Sequence, residues 1–291
     1  MGDAQIAQWA GKQLQQPQAA PFFLGVGFYR PHIPLFAPSK YFEPFMVSSI
    51  VLPASPADDL DDISAVARRL AIEPDTAGRH STVARYEQWE EAVAAYLACV
   101  HFVDAQIGQV LDALDAGPHA GNTIVILWGD HGWHLGEKQH WGKLTGWERA
   151  TRVPLVIVPP KRSASELGAG RNCAEPVSLI DLYPTLIELC GLGPRPGLDG
   201  ISLVPQLRNP ESLSDRAIVT TIDGETFSVR DSRWRYIRYR DGSEELYDHQ
   251  ADAAEHHNLS ADSQHLATKQ RLARSLPANP VKPIPGGRRG E

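Results

Sequence analysis

The chain has 291 residues, of which 42% are hydrophobic and 22% charged, with a formal net charge of −7. That composition supports a folded core and excludes fibrous and disordered classes. An acidic balance without a basic face argues against nucleic acid as a partner, and no apolar run approaches the ~18 residues that suggest a membrane span. Cys99, Cys173 and Cys190 are too few and too scattered for a disulfide framework or a cysteine-based zinc site. The two in helical patterns, Cys99 and Cys190, read as buried, inert thiols. Met1 to Ala20 has no charged start followed by an apolar stretch, so no signal peptide is expected there.

Ile6, Trp9, Ala10 and Leu14 recur at helical spacing, which predicts a helix over Ala4 to Gln16 that Pro17 stops. The continuous apolar run from Phe22 to Phe28 predicts a strand covered on both faces, as in a parallel sheet, closed by Arg30-Pro31-His32-Ile33-Pro34. A helix feeding straight into such a strand reads as a fold whose first strand and crossover lie upstream. A short helix is expected from Asp58 to Leu70. A long one is expected from Thr82 to Asp115, with Tyr86, Trp89, Val93, Tyr96, Val100, Val103, Ile107, Val110 and Leu114 as its apolar stripe.

Thr123 to Trp128 and Val153 to Val158 read as further buried strands. Asp181 to Cys190 reads as a helix with Asp181 as cap, Pro184 in the first turn and Gly191 past the end. Alternating strands and helices indicate an α/β class. The last third changes character: Ala217–Thr221, Phe227–Arg230, Trp234–Tyr239 and Glu244–Tyr247 are expected as an antiparallel meander with turns at Asp223-Gly224 and Asp241-Gly242. The expected division is 1–210 for the α/β core, 211–276 for a small sheet subdomain and 277–291 for an extended or disordered tail.

Gly129-Asp130-His131-Gly132 directly follows a strand, the place where α/β sheets gather ligands. A carboxylate next to an imidazole suits metal ligation; a solvated turn explains the same residues. His32 follows another predicted strand in the same relative place, between two prolines that restrict its backbone. In the loop Trp133 to Lys143, the Lys143 ammonium suits an anionic oxygen, and Trp133 and Trp141 suit either pocket lining or core packing. There is no phosphate loop, dinucleotide fingerprint or nucleophile-elbow serine. The chemistry therefore reads as metal-assisted and directed at an anion.

Gly129-Asp130-His131-Gly132-Trp133-His134-Leu135-Gly136-Glu137, His140-Trp141-Gly142-Lys143 and Ala150-Thr151-Arg152-Val153-Pro154 together resemble the second half of type I, formylglycine-dependent sulfatases of the iduronate-2-sulfatase-like branch. Pro21 to Pro34, Asp181 to Leu186, Arg233 to Ile237 and Glu245 to Asp248 fit the same pattern. The resemblance implies an alkaline-phosphatase-like α/β core, with helices on both faces of a mostly parallel sheet, plus a small C-terminal antiparallel sheet subdomain. It implies hydrolysis of sulfate esters on a sulfated sugar or glycosaminoglycan-type substrate, with a formylglycine nucleophile and one calcium ion. It makes Asp130 and His131 metal ligands, His32 a sulfate contact or leaving-group acid, and Lys143 a sulfate ligand. Arg30, Trp133 and His134 become sugar contacts, and the compartment becomes periplasmic, extracellular or lysosomal.

The family's Cys/Ser-X-Pro-Ser-Arg motif and its pair of adjacent Asp ligands are not found. Asp58-Asp59 and Asp61-Asp62 read instead as caps at a helix start. The chain thus reads as a sulfatase lacking its first part and its nucleophile, with little or no activity alone. Two alternatives stay open: a phosphomonoesterase or phosphodiesterase of the same superfamily, and a non-catalytic anion- or partner-binding remnant.

Overall fold

The computed structural model describes residues 1–75, 77–212 and 214–280; the rest of the expected tail, 281–291, lies outside them. In chain order the elements are α1 (Gly2–Leu14), α2 (Ala65–Ile72), α3 (His80–Arg85), α4 (Trp89–Asp115), β1 (Val125–Trp128), β2 (His134–Leu135), β3 (Trp141–Gly142), α5 (Glu148–Thr151), β4 (Leu155–Val158), α6 (Leu182–Leu189), α7 (Val204–Arg208), β5 (Ile218–Thr221), β6 (Phe227–Arg230), β7 (Trp234–Arg238), β8 (Glu244–Asp248) and α8 (Leu266–Ala273). They form two compact units. One comprises Met1–Pro53, Ser81–Val125 and Val158–Ser163; the other comprises Ala54–His80, Ile126–Ile157 and Ala164 onward.

In the first unit α1 packs along α4, burying Ala7, Ala10 and Leu14. A side chain at Gly11 would begin 3.2 Å from the Ala113 Cβ, so glycine lets the helices approach. The single helix expected from Thr82 is interrupted where Glu87 adopts φ 54°, which separates α3 from α4. The buried face of α4 is Val93, Ala94, Ala98, Cys99, Phe102, Gln106 and Leu114, while Val100 of the expected stripe is exposed. Small residues, rather than the largest apolar ones, mark the close contact. By length and composition alone α4 would suffice to cross a membrane.

Residues 21–29 carry no strand pairing among the described residues, and Phe23 is 81% exposed. The expected buried strand is therefore an extended segment. Apolar content favours burial but does not provide the neighbouring strand whose hydrogen bonds define a sheet. Cys99 is buried as expected, whereas Cys173 and Cys190 are exposed.

In the second unit β1 pairs with β4, as the two apolar runs predicted. Leu127, Trp128 and Val156 remain 39–49% exposed, so the pair is not covered on both faces. The C-terminal strands form one antiparallel sheet in the order β5-β6-β7-β8, with Phe227 opposite Arg238 and Tyr236 opposite Leu246. Gly224 and Gly242, both at φ 84°, make the turns the Asp-Gly pairs announced. Alternation along β7 sends Trp234 and Tyr236 to a core with Val229, Leu246 and Leu272 of α8. Ile237, Tyr239 and Tyr247 join the opposite core with Leu60, Ala67, Ala71 and Trp147. Both faces of this sheet are covered.

α2 starts at Ala65 with Ser64 as N-cap, its side chain accepting from the Ala67 amide at 3.1 Å. The paired aspartates lie ahead of it and do not cap it. Asp59 is buried and accepts from Lys138 Nζ at 2.7 Å and His256 Nδ1 at 3.2 Å, and Asp62 accepts from the Asn258 amide. Asp181 stands at the N-cap position of α6, but its side chain makes no cap bond to that helix. Its carboxylate binds the Ser178 and Ile201 amides and both guanidinium nitrogens of Arg216. Burial raises its pKa, but these donors outweigh that and hold it low. Gly191 at φ 66° closes α6, with the Leu192 amide reaching the Ile187 carbonyl and the Gly191 amide the Glu188 carbonyl.

Glu245 lies wholly inside the core of this unit, accepting from Tyr247 Oη, Trp147 Nε1 and Tyr239 Oη. Burial pushes its pKa from 4.5 up to about 7, although these donors and Lys138 oppose the rise. The folded state thus keeps a proton that the unfolded chain releases. The associated stability is fully present below pH 4.5 and is lost as pH rises through 7, a change of about 3 kcal/mol. Glu245→Gln should remove this dependence. In urea unfolding, the variant should gain on the wild type by about 3 kcal/mol between pH 4.5 and pH 8; a constant offset across that range would contradict the assignment.

Candidate functional site

β1 delivers Gly129-Asp130-His131-Gly132 beyond its carboxyl end. The Gly129 amide bonds the Pro154 carbonyl ahead of β4, and the Gly132 amide bonds the Ala150 carbonyl of α5 at 2.8 Å. A Cβ on Gly132 would lie 2.0 Å from the Arg149 carbonyl oxygen, so only glycine permits this approach. The turn therefore fixes His131. Its Nδ1 lies 2.8 Å from the Gly132 carbonyl and its Nε2 3.0 Å from Lys143 Nζ. A ring protonated on Nδ1 satisfies both contacts: it donates to the carbonyl and accepts from the ammonium. Asp130 projects into solvent, 85% exposed, with Oδ2 3.6 Å from His131 Nε2. Asp130, His131 and Lys143 thus come together beyond the carboxyl end of β1.

The loop that returns Lys143 to His131 is held from inside. Gly136, Lys138, Gln139, Gly142 and Leu144 all have positive φ. Three of these are not glycine, a conformation that persists only where surroundings enforce it. His134 has no exposed surface. Its Nε2 meets Thr145 Oγ1 at 2.9 Å, its ring packs edge-on against His140 and Trp147, and burial keeps its pKa well below the usual value. A side chain so enclosed offers no surface to a sugar in this structure; His134 supports the loop. His140 spans the Ala71 and Lys143 carbonyls and is also pushed down by burial. Trp141 is buried and donates to His80 Nδ1 at 3.0 Å, the packing reading of that residue. Trp133 is half-buried.

Behind the loop lies an ion network. Arg235 of β7, 2% exposed, bonds Glu255 Oε1 at 2.5 Å, the Gly146 carbonyl at 3.1 Å, Ser228 Oγ at 2.7 Å and the Glu148 carboxylate. Burial alone would raise Glu255, yet Arg235 and His249 hold it down at about 2. Glu148, His249 and Glu255 lie close enough to suggest a metal triad. Their oxygens, however, already meet Arg235, and Arg230 Nε is 3.6 Å from Glu148. Two guanidinium groups occupy the cation's place, so the triad is an ion-pair network. Arg235 lies in the segment Arg233 to Ile237 that fits the family pattern, but no role was read for it there, and Glu148 lies in no motif; a charged residue inside a strand of aromatics was the available signal.

His32 and Arg30 belong to the other compact unit. The Tyr29 and Arg30 amides are anchored on the buried Asp3 carboxylate, both at 3.0 Å. Arg30 donates to the Phe36 and His32 carbonyls, so its guanidinium braces its own turn. His32 places Nδ1 2.7 Å from the Ile33 carbonyl and stacks obliquely on Tyr29. It repeats the His131 arrangement, an Nδ1 contact to the next residue's carbonyl.

Residues 1–192 match the Sulfatase family model, and residues 136–281 match that of the N-sulphoglucosamine sulphohydrolase C-terminal region. The chain belongs to the sulfatase family. A sulfatase from Formosa agariphila is 39% identical over 255 residues, covering 88% of this chain and 49% of the relative. Iduronate 2-sulfatase of Mus musculus is 32% identical, covering 60% of this chain and 36% of the relative. The phosphonate monoester hydrolase of Agrobacterium radiobacter superposes with a TM-score of 0.76 at 27% identity, over 93% of this chain and 59% of that one. The fold is thus the alkaline-phosphatase-like fold of the sulfatases. This sulfatase-family chain spans about half the length, or less, of the curated relatives it matches.

The family implies a metal ion. The exposed Asp130 carboxylate and a His131 ring held through Nδ1 to a carbonyl are the donor types and support such a site uses. A calcium ion takes six to eight oxygen ligands, so the Asp130 carboxylate fits as part of such a site, whereas the His131 imidazole does not match that donor preference. Ligation through His131 Nε2 requires the Lys143 ammonium to turn away.

Gly132→Ala should force the turn off α5. The expected cost is about 2–3 kcal/mol, read as a lower urea midpoint with unchanged slope. An unchanged midpoint would show that the close approach does not hold in solution.

Proposed function

We propose that this chain supplies the charge-neutralising and leaving-group side of a sulfate-ester hydrolase acting on a sulfated carbohydrate. The observation that carries the reading is the contact of Lys143 Nζ with His131 Nε2 beside Asp130, at the carboxyl end of β1, in a chain of the sulfatase family. The carbohydrate class rests on the relative named iduronate 2-sulfatase.

Lys143 presents a compact positive charge, with three donors, to the non-bridging sulfate oxygens as negative charge moves onto them and onto the leaving oxygen. His131, oriented through Nδ1, steadies that ammonium. A sugar hydroxyl is a poor leaving group unless protonated, and we assign that proton to His32 on the strength of the resemblance. Asp130 would hold the metal ion, which would neutralise sulfate charge, and His131 would join it only where Lys143 has turned from its Nε2 to the sulfate; the family's formylglycine would supply the attacking oxygen. No Cys/Ser-X-Pro-Ser-Arg sequence occurs in the 291 residues. Hydrolysis therefore requires a polypeptide that carries it, and the chain alone should not turn over an aryl sulfate when calcium is supplied.

Inorganic sulfate titrated calorimetrically into the chain should bind, and Lys143→Ala should weaken binding at least tenfold. Equal affinity in the two proteins would remove the basis of the reading. The likeness to a phosphonate monoester hydrolase favours a second reading, a phosphorus ester as substrate. Two tightly bound zinc ions per chain by metal analysis would support it.

A further inference from the structure

We propose that Arg235 is a positioning residue for the anion site, acting through α5 on Gly132 and thereby on His131; this rests on reading residues 130–143 as that site. The guanidinium of Arg235 is buried on β7, yet four of its contacts lie on groups that set the start of α5. It bonds the Gly146 carbonyl directly. Ser228 Oγ, which accepts from Arg235, donates to the same carbonyl at 2.7 Å. Arg235 bonds the Glu148 side chain, and its other carboxylate partner, Glu255, accepts from the Glu148 backbone amide at 2.8 Å. The first residue of α5 is therefore held by side chain and backbone together.

The far end of the same one-turn helix holds the site. Gly132 bonds the Ala150 carbonyl and passes so near the Arg149 carbonyl that the two segments cannot shift independently. His131 Nδ1 is fixed on the Gly132 carbonyl, and Lys143 lies three residues ahead of Gly146. A displacement of α5 reaches both site residues at once. The geometry needs a planar fork: a lysine at 235 carries its donors on one atom and cannot meet Glu255, Glu148, Ser228 and Gly146 together.

Backbone amide exchange by NMR on the full chain tests this. In Arg235→Lys the Gly132 amide should exchange at least tenfold faster than in the wild type, and inorganic sulfate affinity should fall at least fivefold. Leu246→Ala opens the core on the other face of the sheet and serves as a control. Compared at temperatures giving the two variants equal global stability, it should leave Gly132 exchange as in the wild type. If Arg235→Lys does not fold, Ser228→Ala, which deletes one tether to Gly146, should accelerate Gly132 more than the β7 amides. Equal acceleration in the Arg235 and Leu246 variants, or none in the Arg235 and Ser228 variants, overturns the proposal. Absence of sulfate binding by the wild type would count against the anion-site reading, while Gly132 exchange would still decide the positioning role.

Discussion

The Asp-His turn depends on one close approach, the backbone of Gly132 against the last turn of α5. A Cβ would sit 2.0 Å from the Arg149 oxygen, well inside van der Waals contact, so the chain crosses there only because residue 132 has no side chain. That crossing sets the peptide whose carbonyl receives His131 Nδ1. With one ring nitrogen committed to the backbone, the other is directed outward as an acceptor. The tautomer and aim of the imidazole are therefore properties of the turn, set before any ligand arrives.

The support behind this turn is ionic. Lys138 with Asp59, and Arg235 with Glu148 and Glu255, are pairs enclosed by aromatic side chains or by other charges. Desolvating such groups offsets much of their attraction, so their presence is weak evidence for net stability; losing one partner alone costs ~3–5 kcal/mol. What they contribute is a single allowed arrangement. Lys138 adopts φ 56° and yet is held at both ends, its backbone in the loop and its ammonium on Asp59. Apolar residues in the same places would fill the volume without fixing the loop's path.

Much of this was legible from residues in order. The Asp-Gly turns and the alternation of Trp234, Tyr236 and Ile237 specified the antiparallel sheet, because register there is local and each strand meets its chain neighbour. Gly129 to Gly132 after an apolar run specified the turn at the carboxyl end of β1. What resisted reading was long-range. Phe22 to Phe28 looks like a buried strand because composition reports a preference for burial and carries no information about a partner. Asp59 looked like a helix cap because its partner Lys138 is 79 residues away. His134 was read as a sugar contact, but Thr145 and Trp147 enclose it. Gly132 was read as a turn residue, whereas its need for glycine comes from the Arg149 carbonyl of α5, seventeen residues further on.

The central claim is that the turn after β1 and the loop ending at Lys143 bring an ammonium and an imidazole to one oxyanion. Selenate, which has the shape and charge of sulfate, can be located by anomalous scattering in crystals of the chain grown with it. The account predicts selenium at a position from which its oxygens hydrogen-bond Lys143 Nζ, adjacent to His131 and Asp130. Selenate bound only at sites remote from Lys143, in crystals that preserve the Gly132 turn, would contradict it.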